Sequence, residues 1–248
     1  MTIGTIRVGI GGWTFEPWRG VFYPDKHPQA KELDYAASVM TAIEVNGTYY
    51  SGFKPETFRK WAAATPDDFM FTLKASRFCT NRKVLAEAGD SIARFTSQGI
   101  VELGGKLGPI LWQFMPTKKF DPEDFARFLA LLPRSVDGAA LRHAIEVRHE
   151  SFEDATFVTL ARDAGVAIVF ADKPGFPRID ERTADFTYAR LQDAQEEIET
   201  GYPPAALDGW AKQAKTWAKG GRDTFVFMIN GAKVRAPAAA QALIARLG

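Results

Sequence analysis

The chain has 248 residues, 46 % hydrophobic and 25 % charged, with a formal net charge of +1. That is enough for a sizeable core, and near-neutrality gives bulk electrostatics no case for nucleic acid, a membrane surface or an acidic partner. One cysteine, Cys79, excludes an internal disulfide, and no apolar run approaches the roughly 20 residues that span a bilayer. The start, MTIGTIRVGIGGW, lacks a basic segment followed by a long apolar run, so no signal peptide is expected and the setting is read as cytoplasmic.

In chain order, IRVGIGG (6–12) reads as the first strand, followed by a loop rich in aromatics, glycine and proline. A helical pattern near 30–40 carries Leu33, Ala36, Ala37 and Met40 on one face. AIEVN (42–46) is a strand, and PETFRKWAAA is a helix opened by proline. FMFTLKA (69–75) is a strand, and 82–106 is mostly helical with a break near Gly99 or Gly104. PILWQF (109–114) is a strand, and DPEDFARFLALL is a helix with an Asp-Pro start. AIEVR, DATFVTLARDAG and VAIVFAD (166–172) continue as strand, helix, strand. KPGFPRIDERTA looks like a loop with little helix. FTYARL (186–191), PPAALDGWAKQAKTWAKGG, TFVFMIN (224–230) and APAAAQALIARL close the chain as strand, helix, strand, helix.

Eight strands alternating with helices imply parallel strands joined by right-handed crossovers. A closed (β/α)8 TIM-barrel-like domain covering 1–248 competes with an open doubly wound sheet. The number of units and a length near the typical 250 residues favour the barrel, helix-poor between strands six and seven.

Polar residues recur late in these apolar strands. Glu44 and Asn46 share a face of the second, and Lys74 ends the third. Gln113 is in the fourth, Glu146 and Arg148 in the fifth, Asp172 in the sixth, Arg190 in the seventh and Asn230 in the eighth, while the first runs into Trp13. In a barrel such residues meet at the C-terminal mouth, where barrel enzymes build their sites. The plainer alternative is an ion-pair network that only holds the core. Glu44, Glu146 and Asp172 either bind a hard cation such as magnesium or pair with Lys74, Arg148 and Arg190, and pairing is the favoured reading. There is no HExxH and no cysteine–histidine cluster, so no metal and no cofactor is expected. His149 is either a general base or a hydrogen-bonded strand-end histidine. Trp18, Phe22 and Tyr23 either line a pocket or anchor a loop over the mouth, and Tyr49 and Tyr50 carry the same ambiguity. Cys79 reads as a structural thiol.

GGWTFEPWRGVFYP, IEVNGTYY, TPDDFMFTLKAS, GPILWQF, AIEVRHESF and FTYARLQ, in this order, resemble the signatures of the YecE-like family, domain of unknown function 72. The resemblance covers nearly the whole chain and implies a TIM-barrel-like fold. It also implies a likeness to the barrel of endonuclease IV, hence a nucleic-acid or phosphodiester ligand. Carried over, the family's site-like positions are Trp13, Glu44, Asn46, Tyr49, Lys74, Gln113, Glu146, Arg148, His149, Asp172, Arg190 and Asn230. Two family imidazoles are replaced here by Asn81 and Gln192, which weakens the metal-dependent nuclease analogy. The expectation is a mouth that binds a small anionic or phosphorylated ligand, with hydrolysis as the reaction class. Arg148 and Arg190 would clamp the anion, Glu146 or Glu44 would move a proton, and Lys74 would stabilise developing charge. The alternatives are a nucleic-acid-binding or phosphodiester-processing protein and a non-catalytic binding module.

Overall fold

A computed structural model describes residues 2–229 and 231–248. The main sheet contains β1 (Ile6–Gly11), β2 (Ala42–Val45), β3 (Met70–Lys74) and β4 (Leu107–Gln113). A small hairpin follows, β5 (Ser135–Val136) and β6 (Ala139–Ala140). The main sheet continues with β7 (His143–Glu146), β8 (Ala167–Ile168), β9 (Phe170–Ala171), β10 (Phe186–Leu191) and β11 (Asp223–Met228). The helices are α1 (Glu32–Val39), α2 (Pro55–Ala63), α3 (Arg77–Thr80), α4 (Gly89–Thr96), α5 (Pro122–Leu131), α6 (Ala155–Asp163), α7 (Pro204–Trp217) and α8 (Ala236–Leu247).

The main sheet runs β8-β7-β4-β3-β2-β1-β11-β10-β9, every pair parallel. Its two outer members, β8 and β9, are halves of one extended segment. Between them Val169 donates its N–H to the Ile145 carbonyl at 2.9 Å. The first half pairs with β7 and the second with β10, so the sheet closes almost completely into an eight-stranded barrel.

Strand alternation sorts the residues. Val8, Ile10, Ile43, Val45, Phe71, Leu73, Ile110, Trp112, Ile145 and Val147 are buried in the outer cluster shared with helix residues such as Phe58, Phe128, Phe157 and Leu243. Ala42, Met70, Leu111, Ala144, Phe186, Tyr188, Phe225 and Phe227 form a second cluster inside the barrel. Strand β1 contributes glycines to that interior. A Cβ on Gly9 would lie 1.8 Å from the Ala42 carbonyl oxygen, and one on Gly11 2.9 Å from Asn46 Nδ2. Gly9 is therefore set by the close approach of the β2 backbone and Gly11 by neighbouring side chains, while Gly12 takes a positive φ of 74°.

Local signals place the helices. Asp121 accepts from the N–H groups of Glu123 and Asp124 at 3.0 and 3.1 Å, with Pro122 in the first turn of α5. Asp154 caps α6 through the Thr156 N–H at 2.6 Å. In the 82–106 region both glycines interrupt the helix: Gly99, with φ 97°, separates α4 from the 3₁₀ stretch Ile100–Lys106, and Gly104, with φ 56°, kinks that stretch. Between β9 and β10 no helix occurs. The loop is fastened instead by Thr183, whose Oγ1 accepts the Ile168 N–H at 3.0 Å, and by Arg178, stacked 5.1 Å from the Phe170 ring.

The β5–β6 hairpin and the four-residue α3 were not expected. The hairpin signal is Asp137–Gly138, with φ 47° and 80°, the positive pair that a two-residue hairpin turn needs. No helix among the described residues is long and apolar enough to cross a membrane.

Candidate functional site

Inward positions of the strands change character along the barrel axis. Below are Met70, Phe186 and Phe225; above stand Glu44, Lys74, Gln113, Glu146 and Arg190, at or next to the C-terminal ends of β2, β3, β4, β7 and β10. Arg190 is the hub, 1 % exposed. Its Nε and Nη2 donate to the two oxygens of Glu44 at 3.0 and 2.9 Å. Its Nη1 donates to Glu146 Oε2 and, at 3.2 Å, to Gln113 Oε1. Arg148 adds a second link: Nε to Glu146 Oε1 and Nη2 to Gln113 Oε1, each 2.6 Å. Gln192 Nε2 reaches Glu146 Oε2 at 3.4 Å. Beneath, Tyr188 donates its hydroxyl to Glu44 Oε2 at 2.7 Å and lies 2.9 Å from Thr72 Oγ1. Glu146 ends β7, and Arg148, two residues on and just past the strand, turns to the same side. Both carboxylates are fully buried, and burying them is tolerable because each is held by a guanidinium and further donors.

Protonation follows from the same contacts. Burial alone would raise the pKa of Glu146, but the Arg190 and Arg148 guanidinium groups outweigh it and hold the carboxyl below its usual range. Burial disfavours the charge on Arg190, and Glu146 and Glu44 more than compensate, raising its pKa. Tyr188 is raised well above the ordinary phenol value, by burial first and by Glu44 next. Lys74 is the group tuned toward neutrality. Burial first, then the Arg190 charge, push it down to about 8, against the pull of Glu44 and Glu146.

Above this cluster opens a cavity of about 380 Å³. Lys74, Arg148, Arg190 and Lys233 supply its charged lining, with Asn46, Gln113, Tyr49, Tyr50 and Trp18 beside them. No acidic residue lines it among the described residues, because Glu44 and Glu146 lie under the guanidinium groups. Lys74 Nζ sits 4.2 Å from the Tyr49 ring centroid. Tyr49 is braced by Asn81, which donates Nδ2 to its hydroxyl at 3.0 Å. Trp18 both anchors the first loop and lines the cavity: its Nε1 donates to the Lys233 carbonyl at 2.9 Å. Lys233 Nζ rests 4.2 Å over the Phe15 ring, and burial lowers its pKa.

Of the residues expected at the mouth, Glu44, Asn46, Tyr49, Lys74, Gln113, Glu146, Arg148 and Arg190 come together. Of these, Glu44 and Glu146 lie beneath the cavity lining, and three further residues lie away from it. Asp172 accepts from the Gln192 N–H and, at 2.9 Å, from the Tyr202 hydroxyl, and burial raises its pKa. His149 turns aside to Ser151, with Nδ1 2.9 Å from Oγ and accepting the backbone N–H at 3.1 Å. Trp13 packs on Trp61, centroids 5.2 Å apart, and its carbonyl accepts the Tyr23 hydroxyl. Asn230 lies outside the described residues. Among the described residues no cluster of three His, Cys, Asp or Glu is placed to hold a metal ion. Cys79 is buried, and burial pushes its thiol up to about 12. Tyr188, Thr72 and Lys233 went unnoticed in the sequence. The first two stand two residues before Arg190 and Lys74, on the same inward faces, and alternation would have found them. No periodicity marks Lys233.

Fold and mouth together define a nearly closed parallel α/β barrel with a cation-lined cavity at its C-terminal end. The chain belongs to the family described as "Protein of unknown function DUF72", whose profile matches residues 7–248. It is similar to the UPF0759 protein YecE of Escherichia coli strain K12, 25 % identical over 150 residues, which are 59 % of this chain and 50 % of that protein. The chain thus spans about half the length of the curated relatives it matches. A crystal structure of a DUF72 family protein from Thermotoga maritima MSB8 is 26 % identical, with TM-score 0.78 and 96 % of each chain covered. More remote is the D-psicose 3-epimerase of Clostridium cellulolyticum H10, 10 % identical, with TM-score 0.54 over 97 % of this chain and 95 % of that one, a likeness of fold alone.

Proposed function

We propose that the chain binds a small anionic ligand, a carboxylate or a phosphate, in the cavity at the C-terminal mouth of the barrel. The observation that carries this is the imbalance of its lining: Lys74, Arg148, Arg190 and Lys233 face it, and among the described residues no carboxylate does. Arg148 is the main clamp. Two of its nitrogens are held by Glu146 and Gln113, which fixes the guanidinium plane at the edge of the cavity. Lys233 closes the far side, and Asn46 and Gln113 supply neutral polar groups that orient the ligand. About 380 Å³ suits a ligand of metabolite size and is too small for a nucleic-acid duplex.

Hydrolysis is not part of this reading. The oxygens of Glu44 and Glu146 are engaged by arginines, and Glu146 is held below the usual carboxylate range, which makes it a poor base near neutral pH. The test is calorimetric titration with inorganic phosphate and with small mono- and dicarboxylates. Arg148→Ala and Lys233→Ala are expected to weaken the best of these at least tenfold, the range for losing one charge-assisted contact. Wild-type binding that survives both substitutions unchanged would place the anion elsewhere. Binding instead to single-stranded DNA, weakening steeply with salt, would favour the nucleic-acid alternative.

A further inference from the structure

Lys74 adds its charge to the mouth, yet an anion clamp built on Arg148 and Lys233 does not by itself explain its surroundings. Its carbonyl accepts the Thr48 hydroxyl at 2.7 Å, fixing the backbone at the end of β3 and aiming the side chain into the mouth. The residue is 9 % exposed and lines the cavity. Yet among the described residues Nζ has no hydrogen-bond acceptor and no ion-pair partner. The nearby carboxylates are taken by Arg190 and Arg148, and what Nζ meets is the face of Tyr49. A buried lysine kept beside fixed cations and given no acceptor has its nitrogen lone pair more available than any surface lysine.

We propose that Lys74 is a Schiff-base-forming residue, and that the ligand of this mouth is a small carbonyl compound carrying a carboxylate or phosphate: a 2-oxo acid or a phosphorylated ketone or aldehyde. This rests on the anion site proposed above. The clamp holds the anionic end while the carbonyl carbon faces Nζ. The neutral amine adds its lone pair to that carbon, the C=O π pair moves to oxygen, and the oxygen takes up the proton that nitrogen gives up. A second proton then lets the hydroxyl leave as water, and the nitrogen lone pair forms the C=N bond. The net change is protonated amine plus carbonyl going to iminium plus water, with no oxidant or reductant. With a pKa near 8, about a tenth of Lys74 is the free amine at pH 7, against about one part in three thousand for an ordinary lysine. The iminium is a cation lodged over Glu44 and Glu146, whose charges pull toward the positive form of the group at this position.

The test is reductive trapping with sodium cyanoborohydride at pH 7, using pyruvate for the carboxylate class and dihydroxyacetone phosphate for the phosphate class. Adducts are located by peptide mass mapping. The expected result is one adduct, at Lys74, with one probe favoured. It forms on the order of 100-fold faster than at lysines of the denatured chain, as the amine fractions imply, and its rate levels off above about pH 8. It is absent in Lys74→Arg and slowed by inorganic phosphate. Native protein that binds phosphate yet gives no Lys74 adduct with either probe would overturn the Schiff-base role and leave the anion site standing. Neither phosphate binding nor adduct would overturn both. A Lys74 adduct that forms as fast with uncharged glycolaldehyde as with the anionic probes would keep the reactive amine and remove the anionic ligand class, overturning the proposal as stated.

Discussion

Replacing Arg190 by methionine tests the central cluster most directly. The substitution keeps a long side chain and removes every donor. Glu44 then retains the Tyr188 hydroxyl at 2.7 Å but loses its sole ion-pair partner among the described residues. Glu146 keeps Arg148 at 2.6 Å. Both carboxylates are fully buried, so the loss is that of a broken buried pair, about 3–5 kcal/mol. At about 2–4 °C per kcal/mol for a chain of this size, the melting midpoint should fall roughly 6–20 °C. The sign of the pH dependence is also fixed. In the wild type Glu146 is held low, so its contribution is full above the unfolded value of about 4.3 and fades as pH falls through the folded value. In Arg190→Met Glu146 loses the largest charge that opposes its burial, so its carboxyl rises from the value at which it is held and that stabilisation is lost. The gap between the two proteins should therefore widen as pH rises from about 3 to above 4.3 and stay wide to pH 8, measured by urea unfolding across that range. Adding Glu44→Gln to Arg190→Met should recover part of the loss at pH 8. A loss under about 1 kcal/mol, or one independent of pH, would refute the claim that Arg190 supports buried charged carboxylates.

Lys74→Met should stabilise the protein at pH 7. The drop from 10.5 to about 8 corresponds to about 3 kcal/mol of cost for the charged form, full below pH 8 and lost as pH rises to about 10.5. The wild-type-minus-mutant difference in urea unfolding should close over that window, and a constant difference would contradict it. Cys79, buried and pushed up to about 12, should resist iodoacetamide in the native protein and react at once in denaturant; fast native alkylation would show that the site opens. Asp121→Ala should cost about 1 kcal/mol in urea unfolding by uncapping α5, while Asp121→Asn should cost little.

Strand–helix alternation and length were enough for a parallel barrel, because each strand of such a sheet is buried on both sides and reads as an apolar run of its own. The candidate site was legible for the same local reason: a strand's period of two tells which neighbours of Ile145 and Val147 turn inward, and Glu146 and Arg148 are those neighbours. Asp172 and His149 had equally good positions in the chain and still missed the cavity. Their side chains found other partners, Gln192 and Tyr202 for one and Ser151 for the other, and no sequence period reports such hydrogen bonds. Whether the inward charges would cancel or leave an excess was likewise beyond the sequence. It depends on depth: Glu44 and Glu146 sit beneath the guanidinium groups, and Lys233 is brought over the rim by a loop far along the chain. The order of residues thus determined which groups reach the mouth, and only closure of the barrel decided that the cations face the cavity while the carboxylates support them from below.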